Sequence, residues 1–183
     1  IIETGYNNFK EAIKIRDNLL KSSKQYFSPM QFSNPLNIQC HYETTAPEIY
    51  GHVITEMRPL NWSTFIHGSG TGGTMMGVKK YIDDLELNVK CVLTTPEESA
   101  ETHGIQGIND GADFLLDKTL MDEVIQIKTE DAIARMKRFW RETGILIGIS
   151  SGANILASER YLKKHDPSGI IITILCDRGE RYL

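Results

Sequence analysis

Apolar and polar positions along the chain follow two alternating spacings, one typical of helices and one typical of buried strands. The clearest helical pattern begins at Thr129, which is placed to cap the helix, and stops at Gly144, which is placed to end it. One face of this helix would carry its apolar residues, Ala132, Ile133, Met136, Phe139 and Trp140. We therefore predict an amphipathic helix that packs one side against a core.

Four further segments have the helical spacing. In one of them Thr45 is placed to cap the helix, with a proline in the first turn and Glu48 three positions after the cap. The predicted helices cover residues 8–21, 45–57, 75–85 and 150–162.

Short apolar runs separate the predicted helices and indicate buried strands. They cover residues 62–67, 89–94, 124–127 and 169–175, and Ile1-Ile2 would be the tail of another strand. Residues 31–37 and 96–116 are predicted loops. Because nearly continuous apolar strands alternate with helices, we predict an α/β fold: three layers, α/β/α, around a mostly parallel sheet.

Composition and charge exclude several classes of protein. Of 183 residues, 40 % are hydrophobic and 24 % charged, and 20 Lys and Arg against 24 Asp and Glu give a formal net charge of −4. This balance lacks the basic footprint of nucleic-acid-binding proteins, and no apolar run approaches the roughly 20 residues that span a bilayer. The three cysteines form no CxxC pair, which favours a reducing, cytoplasmic setting and argues against a structural zinc site.

A glycine-rich turn at residues 68–74 is the strongest local sign of chemistry. Four glycines and two threonines lie between a predicted strand and a predicted helix. Glycine lets backbone N–H groups face an anion at close range, and a helix N-terminus adds donors and a favourable dipole. The alternative is a tight turn that needs glycine only for its backbone angles. No lysine follows the last glycine, so the turn is not a Walker A loop.

A dinucleotide site is a second interpretation of this turn. Its glycines satisfy G-x-G-x-x-G, and Glu97 and Glu98 follow the next strand near the offset expected of a ribose-binding acid. A single match of this kind is a weak signal, so both interpretations stay open on local grounds.

Other polar residues have structural interpretations when taken alone. Cys176 follows an apolar strand, where ligands of parallel sheets bind, but the charged residues after it are typical of a solvated turn. Ser150 and Ser151 are placed to cap a helix. The histidines lack metal-ligand spacing, and we expect structural or surface roles for His41, His67 and His103.

Six segments in a fixed order together resemble the cysteine synthases, or O-acetylserine sulfhydrylases. They are QFSNP at 31–35, HYETTAPEI at 41–49, GSGTGGT at 68–74, IQGI at 105–108, GISSG at 148–152 and CDRGERYL at 176–183. The resemblance covers essentially the whole chain. It implies the large C-terminal domain of a fold type II enzyme that uses pyridoxal 5′-phosphate, and the last motif resembles the B-type isozymes.

The resemblance also implies site residues. The 5′-phosphate of the cofactor would be bound by Gly70, Thr71, Gly72, Gly73 and Thr74. Cys176 would lie against the pyridine nitrogen with Ser150 nearby, and a neutral thiol there suits β-elimination because it does not hold that nitrogen protonated. Gln31 would hold the carboxylate of the substrate, and Gly107 would border the substrate.

The implied reaction replaces the acetoxy group of O-acetyl-L-serine by sulfide, or by thiosulfate, to give L-cysteine. Relatives of this family are typically homodimers, so we expect the same here, in the cytoplasmic setting that the cysteines favour. The B-like ending argues against docking of a serine acetyltransferase tail.

The chain is expected to be part of a longer enzyme, because residue 1 is not Met and no lysine lies in a context that matches the family's Schiff-base lysine. No catalytic residue is therefore assigned. Residues 1–30 would end the smaller N-terminal domain and cross over, and residues 31–183 would form the large domain. We expect this chain to hold the cofactor phosphate without catalysing. The alternatives are a non-catalytic remnant with a binding or regulatory role and, third, a Rossmann-type dinucleotide-binding domain.

Overall fold

A computed structural model of the chain describes residues 9–57, 59–99, 102–105, 107–108 and 114–183. The predicted strand tail at Ile1-Ile2 lies outside these residues, as does Gln106 of the fourth motif. Within the described part, no helix is both long enough and apolar enough to cross a membrane.

A parallel sheet forms the middle layer. It contains β1 (Trp62–Gly68), β2 (Lys90–Pro96), β3 (Glu123–Ile127) and β4 (Ile170–Ile172). Among the described residues, the four strands lie in the order β3-β2-β1-β4, and every neighbouring pair is parallel. The predicted parallel sheet is thus confirmed, and the first two strands of the chain form its centre.

The described residues form six α-helices. Five of them confirm predicted segments, whereas the second lies where the sequence pattern predicts no helix. They are α1 (Phe9–Ser22), α2 (Leu36–Glu43), α3 (Thr45–Glu56), α4 (Gly73–Asp84), α5 (Thr129–Thr143) and α6 (Ile149–His165). The sequence of α2, LNIQCHYE, has no stripe of apolar residues at helical spacing, which is the signal that predicts a helix. In agreement with this, none of the residues of α2 is buried.

Alternate side chains of the central strands pack into two separate cores. Ile66 and Val92 join one core with residues of α5 and α6, including Met136 and Ala153. Phe65 and Leu93 point the opposite way and join residues of α3 and α4. The sheet is therefore covered on both faces, as the apolar strands predict.

Three predicted helix caps are wrong. Ser150 and Ser151 lie within α6, whose cap position is held by Gly148. The residue before α3 is Thr44, and the hydroxyl of Thr45 is hydrogen-bonded to Nδ1 of His41 at 2.9 Å instead of capping its own helix. At α5 the backbone N–H of Thr129 donates to the Glu98 carboxylate at 2.7 Å, so a side chain from the segment after β2 supplies the cap. The predicted stop at Gly144 is confirmed by its positive φ of 74°.

The last strand is shorter than predicted, because β4 ends at Ile172. Beyond it, side chains of α6 replace the sheet hydrogen bonds. Asn154 donates to the Ile174 carbonyl at 3.1 Å, and the N–H of Cys176 donates to the Ser151 hydroxyl at 2.9 Å. These contacts fix the path of the chain up to Cys176.

Candidate functional site

A pocket of about 340 Å³ opens at the carboxyl end of β1, where parallel sheets bind their ligands. Its volume lies at the lower end of the range usual for small-molecule sites. Segments distant in the sequence meet there, and the lining residues are Phe9, Gln31, Phe32, His67, Gly68, Ser69, Gly70, Thr71, Gly72, Thr74, Met75, Gly107, Ile108, Phe114 and Cys176.

Close packing explains two glycines of the turn. Gly72 has a φ of 96°, and a Cβ atom there would overlap the backbone nitrogen of Leu116. A Cβ at Gly73 would overlap the side-chain amide of Asn37. The predicted steric need for glycine is therefore present, and it holds the turn in the shape that borders the pocket.

Uncharged donors surround the turn. The N-terminus of α4 begins at Gly73, and no described residue of the pocket lining carries a formal charge. The Thr71 oxygen accepts hydrogen bonds from Asn37 Nδ2 at 3.0 Å and from the Gly73 N–H at 3.3 Å, which leaves the hydroxyl proton of Thr71 available to a ligand. This set of amides and hydroxyls at a helix N-terminus suits an anion that is held by hydrogen bonds.

Cys176 lies at the pocket with its thiol in the neutral form. Loss of hydration raises the pKa of the thiol above its ordinary value of 9.0, a hydrogen bond with Ser150 opposes this shift, and the charge of Asp177 adds to it. Ser150 is buried, and a Cβ at Gly107 would lie 3.8 Å from its hydroxyl oxygen. The structure thus brings together three predicted site residues: Cys176, Ser150 and Gly107.

Gln31 lines the same pocket together with aromatic residues. It is exposed, and its backbone carbonyl accepts a hydrogen bond from Asn37 Nδ2 at 2.9 Å. Phe32 stacks between Phe9 and Phe114, with ring centroids 5.6 and 4.5 Å away. Since Asn37 also donates to Thr71, one amide links the Gln31 segment to the glycine-rich turn.

Asn154 is a second linking residue that the sequence pattern did not single out. It is fully buried on α6; its Oδ1 accepts from the Gly68 N–H at 2.8 Å, and its Nδ2 lies 3.2 Å from Nδ1 of His67. His67, for which we expected a structural or surface role, is buried and belongs to the pocket lining. Asn154 thereby holds the end of β1 against the Cys176 segment.

Ser69 offers a polar atom without a partner. Its hydroxyl is buried at the pocket and makes no hydrogen bond within the described part of the chain. Burying such a group without a partner costs free energy, which a bound polar ligand can recover. The uncharged donors of the glycine-rich turn, here called the anion cradle, the pocket volume and the Ser69 hydroxyl together suit the binding of a phosphorylated small molecule.

The acids of the dinucleotide interpretation have other contacts. Glu98 caps α5, Glu97 lies 3.7 Å from Lys128, and neither belongs to the pocket lining. Across the described residues, no group of three or more His, Cys, Asp or Glu side chains could hold a metal ion.

Comparison with known proteins gives the family. The family model described as "Pyridoxal-phosphate dependent enzyme" matches residues 1–177. The chain belongs to this family of pyridoxal-phosphate dependent enzymes. The cofactor expected from the motifs is confirmed, and the fold is that of fold type II enzymes.

Individual relatives catalyse more than one reaction. The chain is 34 % identical over 193 residues to a cysteine synthase of Staphylococcus aureus, covering 100 % of itself and 60 % of that protein. It superposes on O-acetylserine sulfhydrylase isoform 3 of Entamoeba histolytica with a TM-score of 0.82 at 35 % identity, covering 94 % of itself and 52 % of that chain. It superposes on a hydrogen sulfide-producing enzyme of Fusobacterium nucleatum with a TM-score of 0.89 at 32 % identity, covering 100 % of itself and 63 % of that chain. The chain thus spans about 60 % of the length of the curated relative it matches.

Proposed function

We propose that the chain is the cofactor-phosphate-binding part of a cysteine synthase. The proposed reaction replaces the acetoxy group of O-acetyl-L-serine, which leaves as acetate, by sulfide to give L-cysteine or by thiosulfate to give S-sulfo-L-cysteine. The observation that carries the proposal is the meeting of the glycine-rich turn, Cys176 and Gln31 at one uncharged pocket. Cysteine synthases among the relatives supply the reaction.

The turn residues have the first role in this proposal. The phosphate would be held by backbone N–H groups and hydroxyls of Gly70, Thr71, Gly72, Gly73 and Thr74, with the dipole of α4 favouring its charge. The Thr74 hydroxyl lies 3.1 Å from Nε2 of His41, and burial lowers the pKa of that histidine. The anion cradle would therefore bind the phosphate by hydrogen bonds and by the dipole of α4, without a cationic side chain.

The groups around Cys176 have the second role. Bound pyridoxal phosphate supplies an electron-withdrawing ring on which an amino acid can lose its β-substituent. The neutral thiol of Cys176 would face the ring nitrogen, and Ser150 would hold that thiol by a hydrogen bond. A thiol at this position leaves the nitrogen unprotonated, which limits the ring to chemistry such as β-elimination.

The substrate would lie beside the aromatic wall. Gln31, whose side chain is exposed at the pocket, would bind the substrate carboxylate, and Gly107 would border the substrate. We also propose that residues 31–183 form the large domain and that residues 1–30 end the smaller one. A cytoplasmic homodimer that does not dock serine acetyltransferase remains our prediction for the assembly.

The test is an assay of the complete gene product with pyridoxal phosphate, O-acetyl-L-serine and sulfide, with cysteine quantified by mass spectrometry. We expect cysteine to form only when all three are present, and Gln31→Ala to raise KM for O-acetyl-L-serine more than it lowers kcat. Ser28→Ala, a change near Gln31 but outside the pocket lining, is the matched control.

Two negative results have different meanings. A protein that binds pyridoxal phosphate but forms neither cysteine from sulfide nor S-sulfocysteine from thiosulfate would contradict the reaction. A protein that does not bind pyridoxal phosphate would contradict the assignment of the pocket. That result would also count against the alternative of a non-catalytic protein with a binding or regulatory role, because that alternative uses the same cofactor.

A further inference from the structure

The side-chain amide of Asn154 has only one orientation that satisfies its neighbours. The Gly68 N–H can only donate, so the atom 2.8 Å from it must be the amide oxygen. The Ile174 carbonyl can only accept, so the atom 3.1 Å from it must be the amide nitrogen. Two independent backbone groups therefore fix the Asn154 amide nitrogen toward His67.

This orientation determines the tautomer of His67. The Asn154 nitrogen carries hydrogens and lies 3.2 Å from Nδ1 of His67, so Nδ1 accepts and has no hydrogen of its own. Burial, with a smaller contribution from the nearby His41, lowers the pKa of His67 to about 4. The ring is thus neutral at physiological pH, and its single hydrogen is on Nε2.

Within the described residues, Nδ1 is the ring nitrogen of His67 that has a hydrogen-bond partner, which leaves Nε2 for a ligand. His67 belongs to the pocket lining, and its Nδ1 edge is occupied by Asn154. The same Asn154 nitrogen lies 4.0 Å from the Cys176 sulfur, which places His67 beside the thiol and before the glycine-rich turn. An imidazole N–H here adds a hydrogen-bond donor beside the thiol of Cys176, in the same pocket that the glycine-rich turn borders.

We propose that His67 is a further cofactor-binding residue, whose Nε2–H donates a hydrogen bond to the pyridine-bearing part of the bound molecule. This inference rests on the proposed function, because it takes the pocket to hold a phosphorylated pyridine. Asn154 is the positioning residue that keeps the hydrogen on Nε2. The phosphate group is contacted by the turn and not by His67.

The test compares two amide replacements in the full chain. Gln places its amide nitrogen near the position of Nε2, whereas the shorter Asn reaches only the position of Nδ1. Binding of pyridoxine 5′-phosphate, which has no aldehyde and needs no lysine, is measured by isothermal titration calorimetry. We expect His67→Asn to weaken binding about tenfold, the loss of one hydrogen bond, and His67→Gln to stay close to wild type. Binding of inorganic phosphate should be equal in all three proteins.

A second measurement needs no substitution. Long-range ¹H–¹⁵N NMR of the wild-type chain should show His67 as the neutral Nε2–H form between pH 5 and 8, and pyridoxine 5′-phosphate should shift the Nε2 signal. An unmoved Nε2 signal, or equal affinities for the Asn and Gln variants, would overturn the inference. Absence of pyridoxine 5′-phosphate binding by the wild-type chain would instead overturn the proposed function.

Discussion

Thr71 accepts two hydrogen bonds, from Asn37 and from the Gly73 N–H, so its own hydroxyl proton is left for a ligand. Residue-scale arrangements of this kind make the pocket selective, because each donor is held in place before a ligand arrives. The same holds for Cys176, whose backbone is fixed by Ser151 while its thiol stays neutral. Two predictions follow at this scale.

Gly72→Ala should abolish tight cofactor binding. The new Cβ would meet the backbone of Leu116, and the φ of 96° is unfavourable for alanine. We expect affinity for pyridoxal phosphate, measured by calorimetry, to fall at least about tenfold and stability to fall by about 1 kcal/mol or more. Gly144→Ala is the matched control: its φ of 74° is also positive, but no atom lies within 4 Å of the added Cβ. Equal affinity for the two variants would contradict the assigned role of the turn.

Cys176 should react slowly with iodoacetamide at pH 8. Because its pKa lies above the ordinary 9.0, the reactive thiolate becomes the major form only at a pH higher than that. Mass-spectrometric alkylation rates should therefore rise steeply above pH 9 and should fall when pyridoxal phosphate is bound. Exposed Cys40, which lies outside the pocket lining, is the internal control for protection by the cofactor. A Cys176 rate that has already levelled off at pH 8 would show that the thiol is not the neutral group inferred above.

At the scale of elements, α5 depends on a side chain outside the helix. Burial acts to raise the pKa of Glu98, but hydrogen bonds from Thr129 outweigh it and hold the pKa below the ordinary 4.5. The hydroxyl of Thr129 accepts from the Gly104 N–H at 2.9 Å, so this cap also fastens the loop that leads to the pocket. Because α5 packs on α6, which carries Ser150 and Asn154, the cap supports the site indirectly.

Glu98→Gln should destabilise the chain in a pH-dependent way. Because folding lowers the pKa of Glu98, its carboxylate stabilises the folded state at any pH above the pKa that it has in the unfolded chain. This stabilisation is lost as the pH falls through the lower pKa that it has in the folded chain. We expect a loss of about 1 kcal/mol at pH 7 in urea unfolding, and a smaller difference from wild type near pH 3. Glu97→Gln, at the neighbouring exposed position, should change stability little. A Glu98→Gln effect that is equal at both pH values would contradict the charged cap.

At the scale of the whole molecule, short-range patterns predict the elements and long-range contacts build the site. Periodicity predicted the sheet strands and five helices. Of the nine site residues taken from the motifs, seven line the pocket, whereas Gly73 and Ser150 do not. Periodicity could not predict α2, because that helix has no apolar stripe. It also could not predict the true cap of α5, because the capping side chain lies outside the helix. The place of His67 at the pocket and its contact with Asn154 could not be predicted either, because the two residues are 87 positions apart and neither belongs to a motif.

At the scale of the whole molecule, the turn after β1, the segment after β4 and Gly107 meet at one end of the sheet. All of them lie within residues 31–183, so we expect this part of the chain to bind the cofactor phosphate, although the chain spans about 60 % of a relative's length.

Phosphorus-31 NMR of pyridoxal 5′-phosphate, titrated with the wild-type chain, tests this central claim most directly. Because the phosphate would be held by the backbone of residues 70–74, its resonance should shift and broaden in a saturable way, and Gly72→Ala should remove the effect. A phosphorus resonance that is unchanged by the wild-type chain, or that shifts equally with Gly72→Ala, would contradict the assignment.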